Sequence, residues 1–490
     1  MSPLLVLIVI SGYFALLLLI SYFTSKGADS ETFFTGNRQS PWYLVAFGMV
    51  GATLSGVTFI SVPGEVGNSQ FTYFQMVLGY VPGYAFIALV LMPLYYRLNL
   101  VSIYGYLDKR LGFWSYKTGA FFFLLSRTIG SAFRLFLVAA VLQIGLFSAY
   151  GIPFWVTVAV TIALIWLYTY KGGIKTIVWT DTLQTLFILA SVVASIYLIS
   201  KELDVSLGEL VTTVENSGYS RIFDWDWASS RNFFKLFLSG ALIAIVMTGM
   251  DQDMMQKNLT CRNINDAQKN MLWFTVVLVF VNLLFLGLGA LLFIYSNAKG
   301  IPIPDRTDEL FPTLAIRHFN VFEGTIFLLG IIAAAYSSAD SALTALTTSF
   351  CVDFLGLTSN KHLPEDATTE QKSKMIDQVV RMRVHIGFCV VLFFVILLFQ
   401  AINDESVINA VFKVAGYTYG PLLGMFSFGL STKLSVKDKY VPVICLICPV
   451  LSYIIDVNSA VWFNGFQFGF FILMVNGALT YLGLLLISRR

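Results

Sequence analysis

The chain has 490 residues, of which 57% are hydrophobic and 12% charged, with a mean hydropathy of +0.76. A soluble domain carries roughly 25% charged residues, so this composition excludes a soluble enzyme or adaptor and predicts a polytopic membrane protein. The net charge of +3 argues neither for nor against a nucleic-acid partner, and five cysteines, all in apolar segments or at their ends, build no disulfide framework.

Thirteen apolar runs reach the length a bilayer requires, about 20 residues each. They lie near 3–23, 42–64, 70–96, 118–149, 152–170, 177–200, 233–250, 271–296, 321–350, 384–402, 406–430, 440–456 and 461–488. The first is preceded by no basic residue and followed by Lys26, which reads as a span rather than a cleaved signal peptide. Twenty-one of the 31 Lys and Arg residues, Lys257 among them, fall in alternate connecting segments, which predicts the N-terminus outside and the C-terminus inside.

Span two is interrupted by Gly48, Gly51, Gly56, Pro63 and Gly64, with Ser55, Thr58 and Ser61 between them. Paired Gly- or Pro-broken spans in two halves of a chain point to a transporter's binding site. Span four carries Arg127 and Arg134, seven residues apart and so on one helical face. A guanidinium deep in a membrane needs an anion. Arg127 reads as a structural tie; two roles are open to Arg134, a tie to an internal carboxylate or a bidentate receptor for the carboxylate of a solute. Span six holds Asp181 in its inner half. Span seven, five spans after the second and therefore reversed in direction, has Gly240, Gly249 and then Asp251-Gln252.

Span nine is interrupted by Ser337-Ser338-Ala339-Asp340-Ser341, with Thr344, Thr347 and Thr348 beyond. At about 100° per residue, Ser337, Ser341, Thr344 and Thr348 form one stripe, flanked by Ser338 and Asp340. An intramembrane carboxylate marks an ion or proton path by default. Asp181 and Asp340 lie at similar depth and, with Ser338 and Ser341, offer hard oxygen ligands for a monovalent cation such as sodium. Freed carbonyls of broken span two can add to them. The plainer alternative pairs Asp181 with a hydroxyl or with Lys175. Lys413 can snorkel from its span end. Cys445 and Cys448 sit alone in an apolar span and read as packing, and His318, His362 and His385, in loops or at a span end, suggest no histidine metal site.

Further sequence features follow the spans: Asp29 to Arg38 after the first, Leu100 to Gly112 after the third, Gly172-Gly173 leading to Trp179-Thr180-Asp181, Gly249-Met250-Asp251-Gln252 continuing to Gln256-Lys257 and Ala267-Gln268-Lys269, and Tyr419-Gly420-Pro421-Leu422-Leu423-Gly424. In order and spacing these segments resemble the sodium/solute symporter family over essentially the whole chain. The resemblance implies an all-α membrane protein of about 13 transmembrane helices with a leucine-transporter-like 5+5 inverted repeat. One membrane domain would cover 1–490, with spans 2–6 near 42–200 as the first repeat, spans 7–11 near 233–430 as the second, and the last two spans near 440–488 peripheral.

The resemblance further implies secondary-active, sodium-coupled import of a small organic solute across a cell membrane, plasma or inner. Na⁺ would be the coupling ion, with no organic cofactor, no catalysis, no nucleic acid and no obligate protein partner. The main sodium site would use carbonyls of Gly56, Phe59 and Ala334 with the hydroxyls of Ser337 and Ser338. A second sodium site would map to Asp181, Ser338, Asp340 and Ser341. The family more often has Ser or Thr where Asp340 stands, so this acid either strengthens that site or is protonated. The substrate pocket would comprise Ser55, Thr58, Phe59, Ser61, Gln75, Arg134, Met247 and Thr248.

Pro63 stands where the sugar branch has glutamine, Val62-Pro63-Gly64-Glu65 is closer to carriers of monocarboxylates, vitamins and iodide, and Arg134 matches the region where sialic-acid carriers place a carboxylate-binding arginine. The expected solute is therefore a carboxylate-bearing anion, monocarboxylate or sialic-acid-like, with a sugar or a proline-like amino acid as the alternative. A channel would need a filter sequence, an enzyme a zinc motif or nucleophile elbow, and a sensor a signalling domain; the sequence displays none of them.

Overall fold

The computed structural model describes residues 3–26, 30–170, 173–206, 208–357, 367–402 and 407–489. Asp29, Lys171, Gly172, Lys361, His362 and Arg490 of the sequence reading lie outside them. The long helices, in chain order, are α1 (Pro3–Thr24), α2 (Trp42–Thr53), α3 (Gly56–Ser69), α4 (Tyr73–Phe86), α5 (Phe113–Gly145), α6 (Phe154–Thr169), α7 (Gly173–Glu202), α8 (Phe233–Ala244), α9 (Gln252–Asn258), α10 (Ile264–Lys299), α11 (Val321–Ser349), α12 (Ala367–Ile402), α13 (Val407–Thr418), α14 (Gly420–Ser431), α15 (Val441–Trp462) and α16 (Ile472–Leu486).

Among the described residues, nine helices are long and apolar enough to cross a membrane by themselves. Two bent pairs bring the count to eleven: α2 with α3, bent by 54°, and Phe233–Gly249 with α9, bent by 69°. The shorter apolar helices α6 and α14 fall where the sequence places its fifth span and part of its eleventh. The protein is a multi-pass membrane protein.

Helix α11 is the centre of the bundle. In its apolar stretch 89% of residues are buried, against 22% in α15, whose Val443, Leu446, Val450 and Val457 face outward. Its start is fixed by a capping box, in which the Asn320 side chain accepts from Glu323 N at 3.1 Å and Glu323 accepts from Asn320 N at 3.1 Å. The two most extensive helix interfaces join α7 to α11 and α4 to α8, and α7 also packs along α2. Gly48 of α2 abuts Asp181, where an added Cβ would stand 3.1 Å from the Asp181 Cβ, and Gly51 abuts Thr185. Two of the glycines that suggested breaks therefore serve close packing instead.

Small residues set the other interface as well. A Cβ on Gly83 would lie 2.6 Å from Ala241 O and 2.8 Å from Ala244 Cβ, both fixed parts of α8. Replacing Gly83 by valine is expected to force the helices apart and cost about 1–3 kcal/mol, read as a lower thermal unfolding midpoint in detergent. An unchanged midpoint would show that this contact yields freely.

Candidate functional site

The break in span two lies at Leu54-Ser55, before Gly56. Leu54 has φ −76° and ψ 58°, Ser55 has φ −62° and ψ 172°, and Gly56 already opens α3. Two non-helical residues release carbonyls of the last turn of α2 from their usual partners. Opposite that turn stands α11: Ser338 Oγ donates to Ala52 O at 2.9 Å, and Ser337 Oγ donates to Asp181 Oδ1 at 2.6 Å. Ala334 lies one turn before Ser338 and is fully buried.

Among the described residues no hydrogen bond joins Gly56 or Phe59 to these serines; the carbonyl that Ser338 meets is Ala52 O. Gly56 faces Ile331, where an added Cβ would lie 3.7 Å from Ile331 Cδ1, and that residue is roughly 9 Å along the helix from Ser337 at 1.5 Å per residue. Phe59 packs among aromatic rings, 5.5 Å from Phe311, 5.7 Å from Phe327 and 5.8 Å from Phe285 between centroids. The reason is register. With the unwinding at residues 54–55, the end of α2 faces the serines, and the first turn of α3 is carried past them.

The expected second sodium site also changes. Lys257 Nζ lies 2.8 Å from Asp181 Oδ2, with both side chains 1% exposed. Ser341 Oγ reaches the same carboxylate oxygen at 3.5 Å. Asp340 turns toward α6 and accepts from the Tyr168 hydroxyl at 2.8 Å and from Ser341 N at 2.5 Å, while Ser338 points to Ala52. The partner of Asp181 is thus Lys257 rather than Lys175, and Lys257 is a buried residue rather than one of a cytoplasmic loop. His385, expected at a span end, is 1% exposed and bonds Thr169 at 3.1 Å and Thr347 at 2.9 Å.

The two arginines of α5 have different fates. Arg127 bonds Asp253 and lies 3.8 Å from Asp251 Oδ2, and Asp251 in turn accepts from the Tyr419 hydroxyl at 2.5 Å and from Asp253 N at 2.9 Å, capping α9. Around Arg134, by contrast, no carboxylate among the described residues comes within 4 Å, and its buried Nε has no partner. It lines a cavity with about 90 Å³ of room for water centres, bounded by Ser55, Thr58, Tyr73, Tyr80, Tyr84, Met247, Thr248 and Asn282. A second cavity of about 220 Å³, lined by Glu65, Arg231 and Asn409, adjoins it across Tyr73, Ile408 and Phe412.

Ser55, Thr58, Arg134, Met247 and Thr248 of the expected pocket thus line one cavity; Phe59, Ser61 and Gln75 do not. Ser61 is fully buried beside Asp308, whose carboxyl is pushed above the usual range by burial. Gln75 clamps the loop that precedes α8, donating to Arg231 O at 3.0 Å and accepting from Asp224 N at 3.1 Å. The three tyrosines, Asn282 and Lys257 escaped the sequence reading. Tyr73, Tyr80 and Tyr84 fall at spacings of seven and four, one face of α4, and that periodicity was the available signal.

The arrangement brings together hydroxyls, freed carbonyls and buried carboxylates suited to a hard monovalent cation, beside a cavity that Ala52 also lines and whose Arg134 guanidinium has no carboxylate within 4 Å among the described residues. A family model described as the sodium:solute symporter family matches residues 33–434. The sodium/sialic acid symporter of Proteus mirabilis (strain HI4320) is 24% identical over 462 residues, covering 92% of this chain and 90% of that protein. The sodium-coupled monocarboxylate transporter 2 of Mus musculus is 23% identical over 420 residues, covering 83% of this chain and 64% of that protein. A solved structure described as the substrate-bound outward-open state of a Na⁺-coupled sialic acid symporter with a novel Na⁺ site superposes at a TM-score of 0.80 with 21% identity, covering 99% of this chain and 98% of that one. At that identity the likeness is one of fold, and it gives the chain a leucine-transporter-like architecture.

Proposed function

The chain belongs to the sodium:solute symporter family, and from that premise we propose that it is a secondary-active symporter that couples sodium entry to uptake of a small organic anion through a carboxylate. The observation that carries the anion is Arg134, a guanidinium with no carboxylate within 4 Å among the described residues, set in a cavity beside the broken span. The names of the sialic acid and monocarboxylate carriers among its relatives support the same class. Residues near 42–200 and 233–430 are read as the two inverted repeats of one membrane domain, each opening on a bent span. The membrane is the plasma or inner membrane of the cell.

In this reading sodium is held by Ala52 O with the Ser337 and Ser338 hydroxyls, and Ala334 contributes its carbonyl. Holding the end of α2 against α11 favours the conformation that receives solute, and release of both follows when the bundle rocks. Sodium and a monoanion crossing together move no net charge, so the driving force is the sodium concentration gradient: a tenfold gradient, worth about 1.4 kcal/mol, concentrates solute about tenfold.

The test is uptake by the purified protein in liposomes under an imposed sodium gradient, with radiolabelled pyruvate, sialic acid, glucose and proline as probes. Uptake of a carboxylate that stops when potassium replaces sodium is expected. Uptake of glucose alone would remove the anion, and uptake indifferent to the cation would remove the coupling.

A further inference from the structure

Lys257 plays no part in binding a solute carboxylate, yet it sits at the heart of the cation machinery. A lysine ammonium inside an apolar bundle needs an opposite charge at hand, and Asp181 supplies it at 2.8 Å. Three elements meet there: α7 brings Asp181, α9 brings Lys257 and α11 brings the serines. Ser337 and Ser341 occupy the remaining reach of the Asp181 oxygens. Close by, Asp340 is fully buried and receives only neutral donors, the Tyr168 hydroxyl and Ser341 N.

The charge balance at Asp181 is decisive. The Lys257 ammonium already neutralises this carboxylate at 2.8 Å. A sodium added at the same carboxylate would leave a net positive charge in a low-dielectric interior, where unbalanced charge is most costly. The compact ammonium, with three donors on a flexible stem, already stands where that second ion would bind.

We propose that Lys257 is a built-in cation that takes the place of a second coupling ion at Asp181, so that the chain binds and moves one sodium per cycle. This rests on the sodium-coupled reading given above. Removing the ammonium leaves the Asp181 carboxylate unbalanced and converts the position into a sodium site. Lys257→Arg keeps the charge and excludes the second ion.

The experiment is equilibrium binding of radiolabelled sodium to the purified full-length protein in detergent. One saturable sodium per chain is expected for the wild type and for Lys257→Arg, and two for Lys257→Gln. Two sodium ions in the wild type, or one at wild-type affinity in Lys257→Gln, would overturn the proposal. Should Lys257→Gln not fold, the sodium dependence of carboxylate uptake by the wild type decides: a Hill coefficient of about one is expected, and a coefficient near two would overturn the proposal. Absence of any saturable sodium binding in the wild type would instead sink the sodium reading itself, and the proposal with it.

Discussion

Arg134→Ala is expected to abolish uptake of a carboxylate solute while leaving sodium binding intact. The guanidinium has no carboxylate within 4 Å among the described residues, so removing it strands no internal charge and the fold has little to lose. For the solute the loss is large. Truncating one partner of a buried, hydrogen-bonded charge pair costs about 2–5 kcal/mol, which at about 1.4 kcal/mol per tenfold weakens binding from roughly thirtyfold to several thousandfold. Arg134→Lys keeps the charge without the planar fork and is expected to fall between. The measurement pairs solute uptake with sodium-induced thermal stabilisation. Loss of both together would mean that Arg134 holds the fold, and wild-type uptake would mean that the solute is received elsewhere.

The second large effect falls on stability. Arg127→Leu leaves Asp251 and Asp253 fully buried without a cation, although Tyr419 still donates to Asp251. Breaking a buried pair by removing one member costs about 3–5 kcal/mol, and here the same carboxylate caps α9, the helix that carries Lys257. Thermal unfolding in detergent is expected to show a marked fall in midpoint, partly restored in Arg127→Leu with Asp253→Asn. A double variant no better than the single one would place the cost in lost packing of the long arginine stem rather than in charge.

The contrast between these two arginines shows how far the sequence goes. Both were legible as costly intramembrane charges, because a guanidinium in an apolar run is a local fact. Which one is tied and which is free depends on Asp251 and Asp253, more than a hundred residues away. Gly83 behaves similarly: the sequence displays a small residue, and only the approach of Ala241 explains it.

The coupling site divides along the same line. The stripe of Ser337, Ser338 and Ser341 follows from the helical period, and the structure brings these serines to Asp181 and to the end of α2. Among the described residues it is Ala52, rather than Gly56 or Phe59, that meets Ser338 by a hydrogen bond, and a glycine-rich span can unwind at several places. Packing of α2 along α7, through Gly48 and Gly51, fixes the turn at residues 54–55. Lys257 looked cytoplasmic because it lies in the polar run Gln252 to Asn258, and polar runs beside a membrane are ordinarily wet.

By itself the sequence determined the class of molecule, the family and the oxygen-rich face of span nine. These depend on composition, on local periodicity and on the order of short segments, all written along one dimension. The tertiary structure alone decided which charge meets which: Lys257 with Asp181, Arg127 with Asp253, and Arg134 with no carboxylate within 4 Å among the described residues. Such pairings are set where bent helices cross, and a bend of 54° or 69° redirects every side chain beyond it.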